Sequence, residues 1–396
     1  MNWTHSERLD PEICAWAEDA AAIRHDIHAH PELGFETSRT CGRIVEALKR
    51  FGIGEVDDRI VPGGVIAVIE GTAPGRTIAL RADMDALAMP DGSDNPWSST
   101  VQCRAHACGH DGHTAWLLLA ARALQSRRVF KGRVVLIFQP AEEIGRGALA
   151  VVESGIFEKY GIEEVYGAHI DSSAPVGQFG FRAGPAQASC DFFYIDIEGK
   201  GVHASRPHLG IDPLPAAAML VNSLQTIVSR HLDPFEPAVV SLCSLESGAY
   251  GAPNVIPNGL RMSGTVRTFS EEVREQIHRE IALMTEHAAA AQGCRGSCRI
   301  DRLTSVVVND DALVKACRTL AAGLWGEDQV FEPKAVTGGE DFAEYQKKCP
   351  GVMFRVGGVD EGHQAFCHNP AFDFNDCVLP SAAQFFCELV KARLGA

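Results

Sequence analysis

The sequence predicts an α/β protein with two domains, and three observations lead to that prediction. Short β-rich runs alternate with helical segments through about the first 180 residues, which is typical of a largely parallel sheet. From about residue 190 the order becomes strand, helix, strand, strand, helix, strand, the pattern of a ferredoxin-like α+β domain. The length of 396 residues suits two to three domains, at roughly 150 residues each.

The first part of the chain is predicted to alternate helices and strands. Apolar residues at helical spacing over 13–29 predict a first helix, which Pro31 ends, and a second helix is expected over 37–50. The runs that follow predict strands at 65–69, 77–80, 133–138 and 164–168, and helices at 114–125 and 147–153. In sheets of this kind, ligands bind at the carboxyl ends of the strands.

Gly184 and Pro185 mark the start of a predicted inserted domain. Its strands are expected at 190–198, 238–246, 260–268 and 297–303, and its helices at 212–230 and 270–292. The chain then returns to helices at 310–325 and 380–394 and a strand at 352–356. We therefore expect one discontinuous domain over 1–184 and 304–396, and an inserted domain over 185–303.

The composition is that of a globular protein, with 46% hydrophobic and 22% charged residues. A formal net charge of −15 argues against nucleic acid or an anionic membrane as partner, because both require clustered Lys and Arg. No stretch reaches the roughly 18 uncharged apolar residues of a membrane-spanning helix. The polar N-terminus lacks the features of a secretory signal, and the thirteen cysteines lack a disulfide spacing. We therefore expect reduced thiols and a cytoplasmic location.

The densest group of reactive side chains is HACGHDGH at 106–113, with three imidazoles, a thiol and a carboxylate within eight residues. Thiolate and imidazole are the usual ligands of zinc and other late divalent metals. Cys108 and His110 are separated by one glycine, so in a loop both side chains can turn toward one ion. The alternative is an unreactive core cysteine flanked by surface histidines, but the density of the group favours metal binding.

Two adjacent acids, Glu142 and Glu143, follow the apolar run RVVLIF, which Pro140 ends. Because neighbouring residues at a strand end point in different directions, one carboxylate can bind a metal while the other faces a substrate as a base. An ordinary solvated turn is the alternative interpretation of this pair.

Four further polar residues lie at the predicted carboxyl ends of strands, where they would line one crevice. Asp83 and Asp85 end the run TIALRADMD, His169 ends EVYGAHI, and His368 lies in FCHNP near the C-terminus. Taken alone, a residue of this kind is more often a core or surface residue without a function. Their shared position at the predicted carboxyl ends of strands favours a single site.

A series of motifs runs along nearly the whole chain. They are HAHPELGFE at 28–36, LRADMDAL at 80–87, HACGHDGH at 106–113, FQPAEE at 138–143, GVHAS at 201–205, PHLGIDP at 207–213, NVIP at 254–257, GTVRTF at 264–269, GGEDF at 338–342, HNP at 368–370 and FDFND at 372–376. Together they resemble the dinuclear-metal amidohydrolases and peptidases that include hippurate hydrolase, bacterial N-acyl-amino-acid amidohydrolases and plant indole-acetyl-amino-acid hydrolases. Acetylornithine deacetylase is a more distant relative. The segment 170–175 and Cys377 depart from the family pattern. These departures affect the expected substrate pocket, but none of them changes an implied metal ligand.

The resemblance implies a metallopeptidase-like catalytic domain over 1–184 and 304–396, with two divalent transition-metal ions (Zn²⁺, Mn²⁺, Co²⁺ or Ni²⁺) per subunit. It implies Glu142 as general base and Asp85 as a residue behind the metals, and it places Asp83 where distant relatives have a histidine ligand. The implied metal ligands, one of which bridges the two ions, are Cys108, His110, Glu143, His169 and His368.

The inserted domain is implied to be a lid through which two subunits form a homodimer or a higher homo-oligomer. In relatives the histidine that matches His203 reaches into the partner's active site, where it can donate a hydrogen bond to the oxyanion. Asn254 and Arg267 are expected to face the substrate, since an arginine binds a carboxylate bidentately. The backbone of Gly338 and Gly339 is expected to help hold the same carboxylate. A surface histidine and a surface salt bridge are the alternatives for His203 and Arg267.

We therefore predict a metal-dependent amidohydrolase, similar to aminoacylases and hippurate hydrolase, that cleaves N-acyl amino acids or similar small amide conjugates. Two alternatives stay open. One is a related aminohydrolase that releases ammonia from an aromatic amine. The other is a non-catalytic metal-binding homologue, against which the presence of Glu142 together with the whole ligand set argues.

Overall fold

The computed structural model describes residues 3–395, which divide into two compact units. The first unit holds the chain up to Gly184, Val307–Lys334 and the chain from Asp341 onward, and the second holds Pro185–Val306 and Ala335–Glu340. The sequence-based division instead places 304–306 and 335–340 in the first domain. Residues 335–340 belong with the second unit because the backbone of Val336 bonds to Ala186 and Ala188, at 3.1 and 3.0 Å.

The helices, in chain order, are α1 (Pro11–His28), α2 (Ser38–Arg50), α3 (His110–Arg127), α4 (Gly147–Glu153), α5 (Ile156–Tyr160), α6 (Pro213–Thr226), α7 (Glu271–Ala291), α8 (Asp311–Trp325), α9 (Ala343–Gln346) and α10 (Leu379–Leu394). The strands are β1 (Glu55–Asp57), β2 (Val65–Glu70), β3 (Thr77–Asp83), β4 (Arg133–Gln139), β5 (Ile162–Pro175), β6 (Phe179–Gly180), β7 (Gly184–Gln187), β8 (Ser189–Glu198), β9 (Val202–His203), β10 (Ala238–Ser247), β11 (Val255–Ile256), β12 (Gly259–Thr268), β13 (Arg295–Thr304), β14 (Val307–Asn309), β15 (Val330–Phe331) and β16 (Gly351–Val359).

The first unit is built on an eight-stranded sheet in the order β1-β2-β4-β3-β5-β16-β6-β15. The four central strands β4, β3, β5 and β16 are parallel, which confirms the predicted α/β class. All seven residues of β3 are buried. Helix α3 packs against β3, and α1 and α10 pack against α3. The sheet therefore gathers the carboxyl ends of β3 and β4 at one edge.

The second unit contains a four-stranded antiparallel sheet in the order β10-β12-β8-β13. Its elements follow one another as β8, α6, β10, β12, α7 and β13, so the predicted ferredoxin-like pattern is confirmed. Alternate residues of β8, such as Phe193, Ile195 and Ile197, are buried in a core shared with α6 and α7. A separate two-stranded sheet pairs β9 with β11.

Among the element boundaries that differ from the sequence-based prediction, two concern the site. Strand β5 extends to Pro175, so His169 lies within the strand and the prediction that it ends the strand is wrong. The extension forms because β16 pairs with β5 in parallel as far as Val359 opposite Pro175. Helix α3 begins at His110 and not at Thr114, so this histidine lies on the first helical turn.

All thirteen cysteines are free thiols. Among residues 3–395, no helix combines the length and the apolar character that crossing a membrane requires.

Candidate active site

The turn that carries two glutamates after β4 is held by a buried aspartate. Pro140 ends the strand, and Ala141 adopts a left-handed conformation with φ of 57°, which redirects the chain. The Asp85 carboxylate accepts the backbone N–H of Glu142 at 3.0 Å and that of Glu143 at 3.2 Å. Because Asp85 is only 1% exposed, one buried carboxylate fixes the backbone of both glutamates.

Cys108 and His110 flank a glycine at the N-terminus of α3. Gly109 has φ of 87°, and a Cβ there would lie 2.8 Å from a neighbouring side-chain carbon, so this turn requires glycine. His110 Nδ1 donates a hydrogen bond to the backbone oxygen of Asp85 at 2.9 Å. Its other nitrogen, Nε2, therefore faces the acidic turn, 3.8 Å from Glu143 Oε1.

His169 and His368 approach the same place from two other segments. His169 Nδ1 donates to the backbone oxygen of the next residue at 2.7 Å, and its Nε2 lies 3.4 Å from Cys108 Sγ. His368 has φ of 65°, and its backbone N–H donates to the oxygen of Ala107 at 2.6 Å. This conformation places His368 Nε2 3.6 Å from Glu143 Oε1.

The ligand-type atoms of these side chains form three overlapping groups, in each of which the atoms lie within 4.8 Å of one another. The groups are Cys108, His110 and His169; Cys108, Glu143 and His368; and His110, Glu142 and Glu143. The structure thus brings together all five residues that the sequence predicts as ligands, with the predicted base beside them.

Two ligand-type atoms within these groups have no hydrogen bond in the part of the chain that the structure describes. Among the described residues, His110 Nε2 and Glu143 Oε1 are buried and have no hydrogen-bond partner. An unpaired buried polar atom is costly, and a divalent cation would satisfy both atoms at once. Thiolate, imidazole and carboxylate are the ligands of such ions, so the residues present fit a transition-metal centre.

The electrostatics of the group also fit a cation. Burial, reinforced by the charge of Asp85, raises the pKa of Glu143 to about 7. A hydrogen bond with the thiol of Cys367, together with burial, raises the pKa of Cys108 well above its usual value. Burial lowers the pKa of His169, which keeps its ring in the neutral form that binds metals. A divalent cation would stabilise the charged forms of Glu143 and Cys108.

A fourth group of ligand-type atoms, Asp83, His110 and His113, adds a residue that the sequence analysis did not assign. His113 is fully buried, its Nδ1 donates to Asp83 Oδ1 at 2.5 Å, and its Nε2 accepts the N–H of Ile170 at 2.9 Å. Asp83 also accepts a hydrogen bond from Arg81 at 2.7 Å. Since both ring nitrogens of His113 are used, it supports the strand that carries His169. The sequence signal that could have placed His113 in this cluster is its spacing of three residues from His110, which puts both histidines on one face of the helix.

The remaining acid and imidazole of the 106–113 motif face α1 instead of the ligand groups. Asp111 Oδ2 accepts a hydrogen bond from His28 Nδ1 at 2.8 Å and lies 3.3 Å from Arg24 Nη1, and all three side chains are buried. Although burial opposes its charged form, Asp111 raises the pKa of His28 to about 9. The ring of His106 lies 6.1 Å from that of His28. The 106–113 motif therefore contributes side chains to two clusters, the ligand groups and the buried cluster around Asp111.

The chain is similar over nearly its whole length to known proteins. Residues 79–392 match the profile described as peptidase family M20/M25/M40. The chain belongs to this family. It is 39% identical over 370 residues to N-acetylcysteine deacetylase of Bacillus subtilis (strain 168), an alignment that covers 93% of this chain and 94% of that protein. It is 35% identical over 389 residues to hippurate hydrolase of Campylobacter jejuni, covering 98% and 99% of the two chains.

A solved structure supports the same assignment. A dinuclear metal-binding peptidase of family M20 from Bacillus subtilis is 36% identical to this chain. The two structures match with a TM-score of 0.84, over 96% of this chain and 99% of the other.

In this M20-family chain, two of the remaining predicted residues lie on, or directly before, a strand of the small β9–β11 sheet of the second unit. His203 pairs with Val255, and the preceding residue, Asn254, accepts the N–H of Ala204 at 2.8 Å through its backbone oxygen. His203 Nδ1 accepts the backbone N–H of Ser205 at 3.1 Å, which leaves the ring hydrogen on Nε2. The side chains of His203 and Asn254 are exposed.

The other three residues lie elsewhere in the second unit, where the loop with Gly338 and Gly339 approaches Arg267 on β12. A Cβ at Gly339 would lie 3.8 Å from Arg267 Nη1 and 2.8 Å from Thr304 Oγ1. Among the described residues, that hydroxyl is buried without a hydrogen-bond partner. The structure thus brings Gly339 and Arg267 together, and it places His203 beside Asn254 on a different sheet.

Proposed function

We propose that this chain is a metal-dependent amidohydrolase that cleaves the amide bond of N-acyl amino acids or similar small amide conjugates. The observation that carries the proposal is the convergence of a thiol, three imidazoles and two carboxyl groups around His110 Nε2 and Glu143 Oε1, two buried atoms that have no hydrogen-bond partner within residues 3–395. Membership of the M20 family and the names of its relatives, a deacetylase and a hippurate hydrolase, support the same chemistry.

The proposed ligands of two divalent ions are Cys108, His110, Glu143, His169 and His368. This mixture of sulfur, nitrogen and carboxylate donors favours Zn²⁺, Mn²⁺, Co²⁺ or Ni²⁺ over Mg²⁺ or Ca²⁺. Two such ions would lower the pKa of a shared water and polarise the carbonyl oxygen of the substrate. Asp85 supports the ligands from behind, because it holds the backbone of the acidic turn and fixes which ring nitrogen of His110 carries hydrogen.

Glu142 is the proposed general base. Its Oε2 lies 4.0 Å from His110 Nε2, at the side of the ligand group, and Asp85 fixes its backbone. In this role its carboxylate takes a proton from the attacking water and returns it to the departing nitrogen. The products are a carboxylic acid and an amine, which for an N-acyl amino acid is the free amino acid.

The second unit is proposed to recognise the substrate. The planar guanidinium of Arg267 would bind the substrate carboxylate, the backbone N–H groups of Gly338 and Gly339 would add hydrogen bonds, and Asn254 would contact the amide. The exposed Nε2–H of His203 would donate a hydrogen bond to the oxyanion in the partner subunit's active site, a contribution of about 3 kcal/mol.

That last role requires a homodimer formed through the second unit. The edge strand β10 exposes Val239 and Leu245, and helix α6 exposes Leu214 and Met219. An unpaired edge strand with exposed apolar side chains is typical of a surface that another chain covers. The thirteen free thiols support a cytoplasmic location, where cysteines stay reduced.

A substrate panel tests the proposal. Protein loaded with Zn²⁺, Mn²⁺, Co²⁺ or Ni²⁺ is incubated with N-acetyl, N-benzoyl and indole-acetyl amino acids, and separately with aromatic amines. We expect release of free amino acid, about two bound ions per chain, loss of activity on chelation and recovery on metal addition. Ammonia release from the amines without amide cleavage would favour the aminohydrolase alternative. Full metal occupancy without any turnover would favour a non-catalytic metal-binding protein.

Subunit complementation tests the role of His203. A His203→Ala chain is mixed with a Glu142→Gln chain under conditions in which subunits exchange. If His203 acts across the interface, the heterodimer contains one site with both defects and one with neither, so activity should reappear. Absence of recovery, with exchange verified by mass spectrometry of tagged chains, would remove His203 from the partner's site.

A further inference from the structure

A second thiol lies against the candidate metal centre. Cys367 Sγ donates a hydrogen bond to the backbone oxygen of Cys108 at 3.9 Å, and the thiols of the two residues interact with each other. Two contacts hold the Cys367 segment in this position. Its backbone N–H donates to Ser172 Oγ at 3.1 Å, and the N–H of His368 donates to Ala107 at 2.6 Å. These two contacts fix the position of Cys367 next to Cys108.

The second thiol lies outside the ligand groups that the first joins. Cys108 belongs to two of the groups of ligand-type atoms, whereas Cys367 belongs to none of those found among the described residues. Cys108 Sγ therefore lies 3.4 Å from His169 Nε2, a member of its ligand group, and also interacts with the thiol of Cys367, which is not a member. A thiol that contacts a ligand without joining the ligand group suits a reaction with that ligand better than metal binding.

We propose that Cys108 and Cys367 form a reversible disulfide when the protein meets a peroxide, and that this bond removes Cys108 from the metal centre. The half-buried thiol of Cys367 loses its proton as its sulfur attacks one oxygen of hydrogen peroxide. The S–O bond of a sulfenic acid forms, the O–O bond breaks, and the departing hydroxide takes up the proton and leaves as water. The sulfur of Cys108 then attacks the sulfenic sulfur, so that the S–S bond forms, the S–O bond breaks and a second water leaves. Two thiols and one peroxide thus give one disulfide and two waters.

The bond competes directly with metal binding. A disulfide sulfur carries no negative charge and is a poor metal ligand, so oxidation leaves the two groups that share Cys108 with one donor fewer. A dithiol reductant reverses the reaction and restores the ligand. This consequence rests on the proposed metal role of Cys108, whereas disulfide formation itself does not.

The experiment separates these two parts. Reduced, metal-free protein is treated with hydrogen peroxide, and free thiols and non-reduced peptides are then measured by mass spectrometry. We expect a linked peptide pair containing Cys108 and Cys367, and two fewer free thiols than the thirteen of the reduced chain. Metal-loaded protein is oxidised in parallel with a chromogenic chelator present, and we expect metal release that dithiothreitol followed by fresh metal reverses.

Cys367→Ser and Cys367→Ala provide two variants, and Cys103→Ser, which alters an exposed thiol, is the matched control. Both Cys367 variants should bind metal like the reduced wild type and fail to form the linked peptides, while the control should still form them. The proposal is wrong if oxidised wild type lacks the linked pair, or if both Cys367 variants lose metal in the reduced state. If the linked pair forms but no metal is released, disulfide formation is supported and the metal role of Cys108 is refuted.

Discussion

Replacing Asp85 with asparagine tests whether the residue behind the ligands organises the candidate centre. The Asp85 carboxylate uses one oxygen for the N–H of Glu142 and the other for the N–H of Glu143. An asparagine keeps a single acceptor oxygen and turns an NH₂ group toward the second backbone N–H. The variant therefore loses one charge-assisted hydrogen bond, about 1.5–3 kcal/mol, and sets two donors against each other.

The predicted result depends on the place of the lost hydrogen bond, which is the acidic turn after β4. The acidic turn carries one proposed ligand and the proposed base, so its relaxation should lower metal affinity by about 10- to 100-fold, the usual cost of removing a partner of a ligand. Unfolding free energy should fall by about 2 kcal/mol. Metal affinity is measured by competition with a chromogenic chelator, and stability by urea unfolding of the metal-free protein.

Asp91→Asn is the matched control, because Asp91 also accepts two backbone N–H groups, those of Ser93 and Ser99 at 2.8 and 2.6 Å. It belongs to none of the ligand groups found among the described residues. We expect it to lower stability while leaving metal affinity within about twofold of wild type. Wild-type metal affinity in Asp85→Asn, or an equal loss of affinity in both variants, would refute the reasoning.

Three further predictions concern single residues. Glu142→Gln should keep the metal content and lower turnover by roughly a hundredfold or more, while Glu143→Gln should lower metal occupancy; the reverse result in elemental analysis would invert the assignment. Arg267→Ala should raise KM for carboxylate-bearing substrates more than for their esters, and equal increases would exclude the carboxylate contact. His28→Gln should cost about 3 kcal/mol below pH 6.5, because a pKa raised from 6.5 to about 9 stabilises the fold below the lower value and loses its effect as pH approaches the higher. A loss of stability independent of pH between 6 and 9.5, measured by urea unfolding, would contradict that origin.

Much of the fold could be predicted from the sequence because it depends on local pattern. The alternation of buried runs and helical spacing gave the parallel core, and the order of elements after residue 190 gave the ferredoxin-like unit. Features that depend on pairing between distant segments were missed. Strand β5 continues past His169 only because β16 pairs beside it, and residues 335–340 join the second unit through backbone bonds to Ala186 and Ala188.

Inside the candidate site, too, the features that depend on contacts between distant segments could not be predicted. Two histidines on one helical turn show why. His110 and His113 are identical in type and lie three residues apart, so spacing alone gives them the same role. What distinguishes them is the partner of each ring nitrogen. His110 bonds the carbonyl of Asp85 and leaves Nε2 without a hydrogen-bond partner among the described residues, whereas His113 bonds both Asp83 and Ile170.

Those partners lie 25 to 57 residues away in the chain, on strands or directly after a strand, and only the folded sheet defines their positions. A local motif therefore indicates that a metal centre is present, because the density of ligand-type side chains is itself a local property. The division of its members between ligands and supporting residues is a tertiary property. For that reason HACGHDGH, which looks like one cluster in the sequence, contributes its thiol and its central histidine to the candidate centre and its remaining acid and imidazoles to the structure around it.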